Sequence, residues 1–207
     1  MPLPTDLEVL EKAEAYKGIH SWDVSQSHTI LGRQAGRGVC FAASCYYISK
    51  HKAGGSLREF IGMYLENNKR TFVPLNQKAV GLIKTEQKHF RHFETPAFEA
   101  WLNHKSGVKK RGYGGGSVTR MNLLNSILAV NAGYMLFGFM PPDGSGHAVA
   151  MYFGTERRGK VPVRFFDVNF GEFLFRDRYE FFCFFEWLLF VGYGNSATSR
   201  YVFFHLV

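Results

Sequence analysis

The sequence predicts an α+β fold, because helix-periodic segments come first and short aromatic or β-branched runs come afterwards. Two capping boxes mark helix starts in the first part, and three turn sequences separate four strand-like runs in the second. No internal repeat is present.

The first predicted helix covers residues 5 to 17, with Thr5 and Glu8 at capping-box spacing and Gly18 closing it. Residues 18 to 38 are polar and glycine-containing, which predicts a loop. From Val39 to about Lys52, the positions of Phe41, Ala42, Cys45, Tyr46 and Ile48 suit a helix packed on a core, ended by Gly54-Gly55. Ser56 and Glu59 form the second capping box, and Leu57, Phe60, Ile61, Tyr64 and Leu65 follow with amphipathic helical spacing. Residues 77 to 104 predict two short helices divided near Pro96. The basic, glycine-rich run 104 to 117 predicts a loop, and Ser117 to Asn131 a helix stopping at Gly133.

Tyr134 to Met140, Ala148 to Phe153, Pro162 to Asp167 and Glu172 to Phe175 read as strands of an antiparallel meander. Turns are predicted at Pro141-Pro142-Asp143-Gly144, Arg157-Arg158-Gly159-Lys160 and Asn169-Phe170-Gly171. A helix over about 178 to 191 and a strand from Arg200 to Leu206 complete the chain. The expectation is one domain over residues 1–207, with a helical part at about 1–131 and a sheet part at about 133–207.

Hydrophobic residues make up 46% and aromatics 16%, which suffices for a buried core and argues against disorder. The net charge of +8 favours encounter with phosphates, anionic lipid or acidic protein surfaces, but a solvated basic face serves as well. Three cysteines, Cys40, Cys45 and Cys183, lack the spacing of a disulfide framework or a zinc site, so a reducing compartment is expected. The first eighteen residues lack a signal-peptide apolar core. The apolar run Phe181 to Val191 is too short to cross a bilayer and is broken by Glu186, so a soluble protein is expected.

The run from Gln34 to Cys40 is a glycine-rich loop delivering a cysteine to the first turn of a helix. Free N–H groups and the dipole at such a terminus favour thiolate, the nucleophilic form, and Gly36 and Gly38 allow close backbone approach. The plain alternative is that Cys40 is a small buried hydrophobe, the role expected for Cys45 and for Cys183 among its phenylalanines. His147 opens an apolar strand beside a glycine turn, a placement that combines exposure to substrate with a rigid frame. His20, His28, His51, His89, His92, His104 and His205 lack such a frame. Asp167 ends a strand predicted to lie across a hairpin from His147, where a carboxylate can accept Nδ1–H and hold the useful tautomer. Capping of the following turn is the ordinary alternative for Asp167.

Gly38-Val-Cys40, Gly146-His-Ala-Val-Ala150 and the stretch FFDVNFGEF over residues 165–173 resemble the three motifs of the YopT/AvrPphB-type cysteine proteases, papain-like bacterial effector enzymes. The resemblance covers roughly Arg33 to Phe190. It implies a papain-like fold in which a nucleophile helix packs on the antiparallel sheet, with Cys40 as nucleophile, His147 as general base and Asp167 as third member. Val168 stands where the family commonly has proline, and the His147–Asp167 interval is longer than in the best-known members. Gln34 stands at the papain-like distance before Cys40 for an oxyanion-hole amide, whereas the effector family uses Asn one position nearer, where this chain has Ala35.

The expected activity is peptide-bond hydrolysis in a protein substrate carrying an acidic or membrane-proximal surface, by a monomer without metal or other cofactor. The resemblance implies secretion by a bacterium and action in the cytosol of a recipient or host cell. The same triad can run deamidation, transglutamination or acyl transfer, because a thioester can pass to acceptors other than water. A non-catalytic basic module binding protein or nucleic acid is the alternative from another class, although no specific nucleic-acid motif is present.

Overall fold

Seven α-helices and seven strands form among the residues that the computed structural model describes, namely 4–22, 38–62, 76–89, 96–140, 146–195 and 198–207. Both predicted capping boxes are made. Thr5 accepts the Glu8 N–H at 3.2 Å and the Glu8 carboxylate accepts the Thr5 N–H at 2.7 Å, opening α1 (Asp6–Ala15). Helix α2 (Cys40–Lys52) begins without a side-chain cap on its own N-cap residue, Val39. Ser56 and Glu59 repeat the reciprocal pair at the start of α3 (Leu57–Ile61). Helices α4 (Gln77–His89) and α5 (Pro96–Ser106) divide at Pro96, as expected. Thr119 caps α6 (Arg120–Leu128), which is shorter at both ends than the sequence pattern suggests. Helix α7 (Arg178–Trp187) runs on into a π-helical turn, Leu188–Gly192.

The strands are β1 (Ile19–Trp22), β2 (Lys110–Ser117), β3 (Gly133–Met140), β4 (His147–Phe153), β5 (Val163–Asp167), β6 (Gly171–Phe175) and β7 (Arg200–Leu206). They form one antiparallel sheet in the order β1-β6-β5-β4-β3-β7-β2. The predicted meander is the middle of this sheet, β3 to β6. Between β4 and β5, Arg158 at φ 52° and Gly159 at φ 76° supply the two left-handed residues of a tight turn closed by Arg157 and Lys160.

Two expected loops contain strands instead. Residues 19–22 pair with β6, and 110–117, read as a basic loop, pair along their length with β7. Local composition hides β2, because its glycines have little strand propensity of their own. Tertiary packing selects them: a Cβ on Gly115 would stand 2.6 Å from the Tyr201 carbonyl oxygen, and one on Gly114 would stand 2.7 Å from the Phe203 ring. The sheet therefore draws strands from both parts of the chain, and the boundary near residue 132 does not separate helices from strands.

Both faces of the sheet are covered, which explains why β3 and β4 read as nearly continuous apolar runs rather than alternating ones. One face, carrying Leu136, Ala148, Ala150, Phe166 and Phe204, packs under α2 to α5. The other, carrying Phe137, Val149, Met151, Phe165 and Phe173, packs under α1, α6 and α7. Among the described residues no helix is long and apolar enough to cross a membrane.

Candidate active site

Cys40 is the first residue of α2, whose contacts fix it against the sheet. Ser44 Oγ donates to the Ala148 carbonyl at 3.2 Å, tying the helix to β4 one residue beyond His147. Tyr47 stacks on Phe166 with centroids 4.7 Å apart and donates to Glu172 Oε1 at 3.0 Å. At the helix start, the Ala42 N–H donates to Gln87 Oε1 of α4 at 2.9 Å, so a side chain from a neighbouring helix satisfies one of the terminal donors.

His147 opens β4 and Asp167 ends β5. The pairing Ala150↔Phe166, continued by one residue, sets Asp167 opposite Val149, so His147 is its diagonal neighbour on the same sheet face. That diagonal is bridged: His147 Nε2 and Asp167 Oδ1 lie 2.9 Å apart. Asp167 is fully buried, and Oδ1 also accepts the Asn169 N–H at 2.8 Å. The carboxylate thus caps the turn and holds the imidazole at once, so the two readings of this residue are compatible.

Cys40 lies close enough to the same imidazole to interact with it electrostatically. Burial acts to lower the pKa of His147, but the charge and hydrogen bond of Asp167, together with Cys40, outweigh it and hold the ring up at about 10. The nitrogen facing Asp167 is Nε2, not the Nδ1 that the sequence predicts. The ring reaches diagonally across the strand pair with its far nitrogen. His147 is also less open than a strand-end histidine suggests, at 7% exposure, because Phe139 and Tyr193 flank its ring.

The other sequence candidates separate cleanly. Cys45 is buried in the core, where burial first and Glu86 second push its thiol far up. Cys183 is only partly buried, less enclosed than the core position expected for it among its phenylalanines. His20 bonds the Phe170 carbonyl, His51 the Tyr134 hydroxyl and His205 the Ala132 carbonyl, all structural roles. Gln34, the predicted oxyanion donor, lies outside the described residues, as does the turn at residues 141–144. Among the described residues no cluster of three His, Cys, Asp or Glu side chains could hold a metal ion.

Sequence reasoning missed two elements of the site. Tyr193, 46 residues beyond His147, points its hydroxyl at both His147 and Asp167, and nothing local to Tyr193 signals this. Glu172 is a buried hub that accepts from Trp22 Nε1 at 2.7 Å, Ser21 Oγ at 3.0 Å, Tyr47 at 3.0 Å and Arg164 at 3.1 Å. It lies inside the FFDVNFGEF stretch, where an acidic residue among aromatics was the available signal.

The fold has known relatives. The avirulence protein AvrPphB of Pseudomonas superposes with a TM-score of 0.51 at 13% identity, over 89% of this chain and 95% of that one, and so shares the fold. Two further structures are a cysteine protease-like domain of the Photorhabdus asymbiotica toxin PaTox and the YopT domain of the Pasteurella multocida PfhB2 toxin. The first has a TM-score of 0.42 and 13% identity over 97% of this chain and 59% of that one. The second has a TM-score of 0.33 and 20% identity over 89% and 92%. No curated protein sequence matches the chain significantly. The Peptidase_C58 family, described as the Yersinia/Haemophilus virulence surface antigen family, matches residues 11–201, and this chain therefore belongs to that family of papain-like cysteine proteases.

Proposed function

We propose that the protein is a cysteine endopeptidase that cleaves a target protein through Cys40, His147 and Asp167, with residues 1–207 acting as one monomeric catalytic unit. The observation that carries the reading is the 2.9 Å contact from His147 Nε2 to buried Asp167, on a ring whose charged form Cys40 also favours. An imidazolium beside sulfur is the partner a thiolate nucleophile needs.

In the proposed cycle the Cys40 thiolate attacks the scissile carbonyl carbon, and the oxyanion accepts from the Cys40 backbone N–H and from Gln34. His147 delivers its Nδ1 proton to the departing amine as the C–N bond breaks, leaving a thioester on Cys40. Water, losing a proton to His147, then attacks the thioester and releases the acid product. Asp167 holds the imidazole by Nε2 throughout and stabilises its charged form.

Membership of a family of virulence proteins supports secretion by a bacterium and action inside a recipient or host cell. The exposed cations Lys109 and Arg111, at the start of edge strand β2, support an acidic or membrane-proximal substrate surface.

The test compares wild type with Cys40→Ala and His147→Ala by mapping new peptide termini in a lysate of recipient cells. Either change is expected to lower turnover by orders of magnitude, because the two groups act as a unit. Unchanged termini in either variant would end the proposal. A mass change of about one unit or a crosslink in place of cleavage would move the same residues to deamidation or transglutamination.

A further inference from the structure

We infer that Tyr193 is a positioning residue for the His147–Asp167 pair, locking the imidazole in the tautomer that turns Nδ1 towards Cys40. This rests on the reading of Cys40, His147 and Asp167 as the catalytic groups.

The polarity of the hydrogen bonds around the phenol is forced. A phenol has one proton to give and two lone pairs to receive with. Asp167 Oδ2, 2.7 Å away, can only accept, so the Tyr193 proton goes there. Asn169 must then present its Nδ2–H, which donates to the phenol oxygen at 2.8 Å. The remaining lone pair faces His147 Nε2 at 3.0 Å, beside Asp167 Oδ1 at 2.9 Å. Nε2 therefore carries its hydrogen between two acceptors, and Nδ1 is the nitrogen left to exchange a proton with sulfur. Burial, followed by the charge of Asp167, pushes the phenol well above its ordinary value, so it remains a donor.

Packing holds the group in place. The Tyr193 ring lies 4.9 Å from the His147 ring and 5.0 Å from Phe139, whose ring meets the imidazole edge-on at 5.5 Å. Two aromatics thus flank the imidazole. The delivery of Tyr193 depends on the π-helical turn after α7, closed by the i→i+5 bond from Tyr193 N–H to the Leu188 carbonyl at 2.8 Å. One extra residue in that turn rotates the residues after it by about 100° relative to an α-helix, and such turns recur at functional sites. Asn195 anchors the exit, since its backbone N–H and its Nδ2 both donate to the Leu189 carbonyl at 3.0 Å.

The test uses Tyr193→Phe, which keeps the ring and removes the hydroxyl, in the full chain. Alkylation of Cys40 by iodoacetamide is followed by intact mass from pH 5 to 11, and cleavage kinetics are followed on a substrate found by terminus mapping. The expected results are an alkylation profile displaced by half a pH unit or more and a kcat about tenfold lower with KM unchanged. A merely structural tyrosine would leave the profile in place. A profile and kcat superimposable on wild type would overturn the inference while leaving the triad intact, whereas full activity in Cys40→Ala would overturn the triad itself. If the variant fails to fold, wild type alone decides. A histidine-labelled sample is expected to show a His147 Nε2–H proton protected from water, and rapid exchange of that proton would refute the assignment.

Discussion

Exchanging Asp167 for Asn isolates the electrostatic part of the site. Asn keeps the size of the side chain and an oxygen able to accept Nε2–H, but removes the charge. Burial opposes a charged imidazole, and Asp167 is the main reason His147 nevertheless stands at about 10. Returning the ring to the ordinary value near 6.5 represents on the order of 5 kcal/mol of differential interaction, with burial lowering and Cys40 raising the variant's value about that point. At pH 8 the imidazolium fraction would fall from about 99% to about 3%, roughly a thirtyfold loss of the form that protonates the leaving amine in the proposed cycle. The assay is an NMR titration of histidine-labelled wild type and Asp167→Asn between pH 5 and 10.5. Wild-type His147 is expected to stay charged through pH 8 and the variant ring to be neutral there. A wild-type midpoint near 6.5, or a midpoint that the substitution leaves unmoved, would refute the reasoning. Stability changes with a definite sign. Because the folded value is raised, the contribution is complete below about pH 6.5 and is lost as pH rises through about 10. The urea-unfolding gap between wild type and Asp167→Asn should therefore be larger at pH 6 than above pH 10.

Three other substitutions test the frame around the site. Glu172→Ala would leave the donors of Trp22, Tyr47, Ser21 and Arg164 without their shared acceptor and is expected to cost about 3 kcal/mol in urea unfolding. Gly115→Ala should destabilise the β2–β7 pairing by about 1–3 kcal/mol, read as faster hydrogen exchange in residues 110–117, because backbone blocks the new methyl group. Cys45→Ala should leave iodoacetamide labelling of Cys40 intact and cost about 1–2 kcal/mol for lost packing. Disappearance of the label in that variant would move the nucleophile to Cys45.

Elements with self-contained signals can be read from the chain alone. Thr5 with Glu8 and Ser56 with Glu59 define helix starts within four residues, and the two-glycine end of α2 and the Arg158-Gly159 turn are equally local. Cys40, His147 and Asp167 stand out in similarly short contexts: a glycine loop before a helix, a turn before a strand, and the end of the next strand. β1 and β2 cannot be read this way, because their pairing depends on β6 and β7, more than 80 residues further along the chain. A glycine-rich run such as 112–116 becomes a strand only where neighbouring backbone and rings leave no room for side chains. The orientation of His147 belongs to the same class. Which nitrogen meets Asp167 depends on a diagonal register across β4 and β5 and on a tyrosine delivered by a π-turn from the opposite layer. Residue types specify the chemistry available to a chain; which atoms of those residues meet depends on register and packing, and those exist only once distant segments share one sheet.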